Sequence, residues 1–229
     1  MNIENVARKI WSGGPGRRSR LHDLKGNRAR TYACVVNLPR AIVTGLARLL
    51  INYRPPQPWI SYSAIQLLAR HLGPKSRVLE FGSGMSTIWY AQRAGEVFAV
   101  ENNAEWFAHI ENSLKTKKNV QMAFEGSREG YVNFGRSILG EFDLIIVDGS
   151  YRDLCVSRSI DLLREGGIIY LDNCDRLDSD MREAEKICLE FANADGADVR
   201  YFTDFAPTQM FAQQGLMVMR PKPTRSAEE

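Results

Sequence analysis

The stretch RVLEFGSGMSTIWYAQ, residues 77–92, decides the fold. An apolar run meets Gly82-Ser83-Gly84, and a helix-like segment follows at once. A strand that turns through closely spaced glycines into a helix sets backbone N–H groups and a helix N-terminus beside a ligand. Two common occupants match poorly. A P-loop needs Gly-Lys-Ser/Thr after the turn, and GMST at 84–87 has no lysine. A dinucleotide fingerprint wants a third small residue three positions after Gly84, where this chain has Thr87.

Outward from the turn, strands and helices alternate. EVFAVE (96–101), NVQMAF (119–124), EFDLIIVD (141–148) and GGIIYLDN (166–173) read as strands. Residues 63–72, 86–94, 104–115, 154–165 and 178–193 read as helices. The four consecutive apolar residues of EFDLIIVD suit a parallel sheet covered on both faces. Val156, Ile160 and Leu163 share one helical face, as do Met181, Ala184, Cys188 and Phe191, with Asp180 and Glu183 as a capping box. DVRYFTDF (198–205) and QGLMVMR (214–220) then follow with no helix between them, as an antiparallel hairpin. The pattern predicts an α/β fold: a doubly wound, mostly parallel, seven-stranded sheet closed by a C-terminal hairpin, its ligand at the strands' carboxyl ends where strand order reverses.

Two acids stand at those ends. Glu101 closes the second strand, nineteen residues after Gly82, where a carboxylate can accept from both hydroxyls of a ribose. Glu80 ends a buried strand, which is costly unless a cationic ligand or donors of the turn satisfy it.

VLEFGSGMST followed by VFAVEN resembles the first two motifs of class I S-adenosylmethionine-dependent methyltransferases. FDLIIVDGSYRDLCV and LLREGGIIYLDN are similar to that fold's fourth and fifth strand motifs, over residues 60–220 in all. The resemblance implies that Gly82 and Gly84 admit the cofactor's amino-acid end, with Ser83, Ser86, Thr87 and Asn102 in the same two motifs. It implies that Glu80 faces the cofactor's ammonium, Glu101 holds the ribose and Ser127 lies near the adenine. An acidic pocket of Glu80, Glu101 and Asp148 suits a cofactor carrying sulfonium and ammonium.

Methyl transfer needs alignment and, where the nucleophile carries a proton, a base. Asp148 is the first candidate to sit beside the substrate, with Tyr151 and Arg152 at the mouth of the site. Asp148, Asp172 and Asn173 form an all-oxygen set of the kind Mg²⁺ accepts, and they match the metal positions of catechol-type O-methyltransferases. The alternative is that these groups cap the loop and helix that follow. The catalytic lysine of that family is replaced by Tyr151, so the base is not assigned. A further resemblance, in EFGSGxST and DNxDR (Asp172, Asn173, Asp175, Arg176), is to bacterial methyltransferase-like proteins associated with glycan or secondary-metabolite pathways.

Other candidates are weaker. His109 reads as a surface histidine, since Trp106, Ile110 and Leu114 take the core face; His71 ends a helix, and His22 cannot be placed. Cys155 and Cys174 lack a nearby histidine to activate them. Trp59 and Tyr62 either line the substrate pocket or staple the N-terminal segment to the sheet. FAPTQMFAQQ (205–214) reads as a long loop with an apolar tip, either a substrate lid or a homodimer contact.

The 229 residues, 44% hydrophobic and 25% charged, are those of a globular protein. Four scattered cysteines without a CxxC pair argue against a disulfide framework or a structural zinc site and fit a reducing, cytoplasmic setting. Residues 1–58 hold eleven Lys/Arg and two acids, a balance of +9 on a body of −6. They read as a basic arm with one or two helices and a flexible linker at 11–20, before a catalytic domain at 59–221 and a disordered tail at 222–229. Such an arm suits an anionic surface, or is a solvated extension. The apolar run at 41–53, broken by Arg48, falls short of a transmembrane segment. It is expected to pack on the domain rather than lie peripherally on a membrane. The arm's Trp11, Tyr32 and Tyr53 are a poor supply of stacking platforms for nucleic acid.

The leading function is thus O-methylation of a small molecule or glycan. A nicotinamide-dependent oxidoreductase, disfavoured by Thr87, Glu80 and the closing hairpin, is a second reading. A non-catalytic cofactor-binding module recruited by its arm to membrane or nucleic acid is a third.

Overall fold

The apolar runs meet in one sheet of the computed structural model, which describes residues 14–222. Its strands are β1 Arg77–Phe81, β2 Glu96–Glu101, β3 Val120–Phe124, β4 Phe142–Val147, β5 Leu163–Leu171, β6 Asp198–Ala206 and β7 Gln209–Met219. The helices are α1 Leu38–Ile51, α2 Tyr62–His71, α3 Met85–Ala91, α4 Ala104–Leu114, α5 Arg128–Asn133, α6 Arg152–Ile160 and α7 Ser179–Asp195. Strand order is β3-β2-β1-β4-β5-β7-β6, with β1 to β5 parallel and β7 antiparallel to both neighbours. The seven-stranded sheet and its hairpin are as the sequence predicts. The chain runs one way from β1 to β3 and the other from β4 onward, so the reversal lies between β1 and β4.

Burial explains the apolar runs. All six residues of β4 are buried. Leu144 and Ile146 join the core on the face with Val78, Tyr170 and Met217. Ile145 and Val147 join the opposite core with Leu79, Ile169 and Leu216. A strand sandwiched this way has no polar face to alternate with.

Three details differ from the sequence reading. The strand expected at 166–173 begins at Leu163, so this residue belongs to β5 and not to the preceding helix. The cap of α7 is Asp178, whose side chain accepts from the Met181 N–H. Asp180 instead accepts from the backbone N–H groups of Arg152 (3.4 Å) and Asp153 (3.2 Å), capping α6. The long loop read at 205–214 is continuous hairpin, with Pro207 and Thr208 alone between the strands and Thr208 at φ +66°. Phe205 is buried and Met210 packs beside Gly45 of α1, so the apolar tip is neither lid nor free surface.

The basic segment lies against β6 and β7 as far as Ile51, and beyond it Arg54 sits over the Trp106 ring. The Ala212 N–H donates to the Arg20 carbonyl at 2.8 Å, and buried Asp175 accepts from the Leu24 N–H and faces Arg17 at 3.7 Å. Asp204 accepts from Asn37 Nδ2, the Ser63 N–H and the Ser63 hydroxyl, fastening α1 and α2 to β6. The first thirteen residues of the arm, with the start of its linker, lie outside the described residues, as does the tail from 223.

Candidate functional site

At the reversal point β1 and β4 end side by side, and two glycines let their loops touch. Gly82 has φ +96°, and a Cβ there would lie 2.8 Å from the Gly149 backbone. A Cβ on Gly149 would fall on the Tyr131 hydroxyl. Glu80, fully buried, holds the turn from beneath. Its carboxyl meets the Ser86 hydroxyl and, at 2.6 Å, the Thr87 hydroxyl, which in turn accepts from the Gly84 N–H at 2.9 Å. Burial pushes the Glu80 carboxyl up to about 8; the two hydroxyls oppose the rise, and Asp148 and Glu101 add to it. Glu80 therefore braces the glycine turn and is not in the wall of the cavity, contrary to its expected place facing a ligand.

The cavity, about 310 Å³, opens over this turn. That is the lower end of the size range of small-ligand sites. Gly82, Ser83, Gly84, Ser86, Glu101, Asp148 and Gly149 line it, together with Gln57, Trp59, Met85 and Trp106. Glu101 accepts through Oε1 from the Asn102 N–H (2.9 Å) and the Asn103 N–H (2.8 Å), which fixes the carboxylate. Burial raises its pKa against those donors.

The remaining expected residues lie around the cavity rather than in it. Asn102 ties the β2 loop to the β4 loop through Ser150 Oγ at 3.0 Å. Ser127 is exposed and caps α5 by accepting from the Gly130 N–H. Tyr151, at φ +53°, starts α6 and packs edge-on against Tyr131. Cys155 and Cys174 are buried, and burial pushes both thiols up, away from a nucleophile's range.

Arg152 is also buried, and its guanidinium lies between the ends of β4 and β5. It donates to the backbone oxygens of Gly149 (2.9 Å), Asp148 (2.9 Å) and Asp172, and to Asp148 Oδ1 at 3.1 Å. Asp172 is buried, and desolvation together with the Asp148 charge pushes its carboxyl well above the usual range. Asp148, 37% exposed at its side chain, is the member of the pair that lines the cavity; desolvation raises its carboxyl too, and the Arg152 charge opposes the rise. Asn173, at φ +51°, reaches Gln213 Oε1 at 3.4 Å, and Gln213 in turn donates to the Trp59 carbonyl at 3.1 Å. The set thus offers Mg²⁺ poor ligands: Asp148 is already paired with a resident cation, the buried Asp172 carboxyl is pushed towards its neutral form, and the Asn173 amide is engaged with Gln213. Among the described residues no cluster of three His, Cys, Asp or Glu is placed to hold a metal ion.

Two tryptophans complete the wall. Trp59 lines the cavity, and its indole N–H is buried without a hydrogen-bond partner among the described residues. Trp106, placed on the core face by periodicity, is half-buried at the cavity instead, donating from Nε1 to the Ser83 carbonyl at 2.8 Å and stacking on His109. The signal was present: Trp106 sits in the first turn after the Asn103 cap, where a side chain leans back towards the end of β2.

No family model matches the chain, and no curated protein matches it in sequence. Solved structures do match in fold. The O-methyltransferase TomG of Streptomyces achromogenes, in complex with SAM, is 18% identical over 80% of this chain and 89% of its own, with TM-score 0.58. An rRNA methylase from Streptococcus thermophilus is 14% identical over 74% of this chain and 98% of its own, TM-score 0.55. The N-methyltransferase NodS of Bradyrhizobium japonicum is 13% identical over 70% and 93%, TM-score 0.51. What the chain shares with these methyltransferases is the Rossmann-like sheet, and the same sheet carries three kinds of acceptor chemistry.

Proposed function

We propose that this chain is an S-adenosylmethionine-dependent methyltransferase acting on a hydroxyl of a small molecule or glycan. The observation that carries the reading is Glu101, a carboxylate fixed by two backbone N–H groups, facing the Gly82–Gly84 turn across a single cavity. Glu101 accepts from the hydroxyls of a ribose, and Trp106 walls the same cavity. Glu80 and Thr87 keep the turn open for a ligand's backbone-bound end. Asp148 and Glu101 give the cavity a negative field that favours a cationic ligand.

Bound S-adenosylmethionine supplies an electrophilic methyl on a sulfonium. Asp148, held by Arg152, accepts the proton of the acceptor hydroxyl, and the Trp59 ring forms part of the wall beside it. Free cysteines suit a reducing compartment, and we assign the protein to the cytoplasm on that basis.

The test is transfer of label from methyl-labelled S-adenosylmethionine to a panel of phenols, glycans and rRNA. Label on a hydroxyl, reduced roughly a hundredfold or more in Asp148→Asn with cofactor binding retained, supports the reading. Label on a nitrogen or on RNA alone contradicts the O-methyl assignment.

A further inference from the structure

The helix that begins with a π-helical turn at Ala33 and continues as α1 to Ile51 is built the wrong way round for a surface helix in water. An ordinary one turns its large apolar side chains inward and its polar ones outward. Here the residues buried against β7 and β6 are small: Ala41 and Gly45, with Met210 lying on Gly45. Thr44 Oγ1 accepts from the Thr208 N–H at 2.9 Å, and Arg48 reaches back to Thr208 Oγ1 and over the Trp59 ring. The large side chains point away from the domain. Val43 is 67% exposed, Leu46 46%, Leu50 79% and Ile51 74%, with Val35 and Ile42 exposed beside them. The helix extends the apolar run read at 41–53 back to Ala33, and over its 19 residues mean hydropathy is 1.5, so that, unlike that run alone, it is long and apolar enough by composition to cross a bilayer. The tethers at Thr44, Gly45 and Arg48 lay the helix along the sheet edge instead, so its apolar face is presented sideways.

Charge indicates what covers that face. The sequence holds no acid between Asp23 and Glu80, while Lys25, Arg28, Arg30, Arg40, Arg48 and Arg54 fall within or beside the helix. Arg28, Arg30 and Arg40 are exposed. A second copy of the chain docked through the same face would bring arginine rim against arginine rim, since a two-fold interface is self-complementary. An anionic bilayer satisfies both features at once: hydrocarbon takes the aliphatic face and phosphate groups take the arginines.

We propose that the outer face of the helix Ala33–Ile51 docks in the plane of an anionic lipid membrane, with Val43, Leu46 and Leu50 immersed. The docking is independent of the methyltransferase reading. The test is flotation of the full-length protein with phosphatidylcholine vesicles, with and without phosphatidylglycerol. The expected result is recovery with the anionic vesicles, weakened by salt and reduced roughly tenfold or more in Val43→Ser/Leu46→Ser/Leu50→Ser. Because these side chains are exposed, the variant is expected to keep the wild-type circular dichroism and melting temperature. As a second measurement, an environment-sensitive dye on Leu50→Cys shifts to the blue on adding anionic vesicles, whereas one on Ser157→Cys, exposed on α6, does not. Protein that stays behind with both vesicle types, a variant that floats as well as wild type, or a wild-type dimer that the triple variant converts to monomer would each overturn the proposal.

Discussion

Thr87 stands where a dinucleotide site has a small residue, and its hydroxyl links the Gly84 N–H to the buried Glu80 carboxyl. Thr87→Val keeps the shape but leaves both partners unsatisfied, and is expected to destabilise the fold by about 2–3 kcal/mol in denaturant melts. Glu80 carries a pH signature. Its folded-state pKa of about 8 lies above its ordinary 4.5, so the folded chain holds a proton that the unfolded chain releases between those values. Stability of the ligand-free protein is therefore greatest on the acid side of that window and falls as pH rises through it towards 8. Glu80→Gln, which keeps the shape without the titration, is expected to flatten that fall; an unchanged pH slope would contradict it. The glycines, Glu80, Glu101 and Asp148 were legible in the sequence because strand ends are fixed by apolar runs. Trp106 needed a different signal, its place in the first turn after the Asn103 cap, because helical periodicity alone separates core from surface and has no place for a residue that faces a cavity.

At the scale of elements, the strand-helix alternation follows from burial on both faces of the sheet, so it could be read directly. The hairpin turn could not: FAPTQMFAQQ has a proline and no alternation, and only the Ala206–Gln209 pairing, packed against α1, shows why Met210 is a strand residue. The same contact explains Asp204, a buried carboxylate whose donors come from α1, α2 and its own strand. Asp204→Ala strands those donors in the interior and is expected to cost about 2–4 kcal/mol, with the α1 amides exchanging faster than those of β4. Equal loss of protection in both would mean that α1 is no separate unit. The arginine that displaces a metal was in view as a mouth residue, but its direction was not, since sequence does not tell whether a guanidinium points to solvent or inward.

For the whole molecule, charge and shape divide the labour. The acid-rich sheet end gathers Glu80, Glu101, Asp148 and Asp172, the last two bonded to buried Arg152, while the basic helix lies along the β6–β7 edge. Because that arginine is paired with Asp148 and the Asn173 amide is engaged with Gln213, chelator or added Mg²⁺ is expected to leave ligand binding unchanged. The most direct measurement of the central claim is calorimetric titration of the protein with S-adenosylmethionine, with NAD as control. The account predicts one site for S-adenosylmethionine and none for NAD, with affinity lowered roughly tenfold or more in Glu101→Ala as the hydrogen bonds to a charged acceptor are lost. Binding of NAD alone, or S-adenosylmethionine binding that Glu101→Ala leaves untouched, would contradict it.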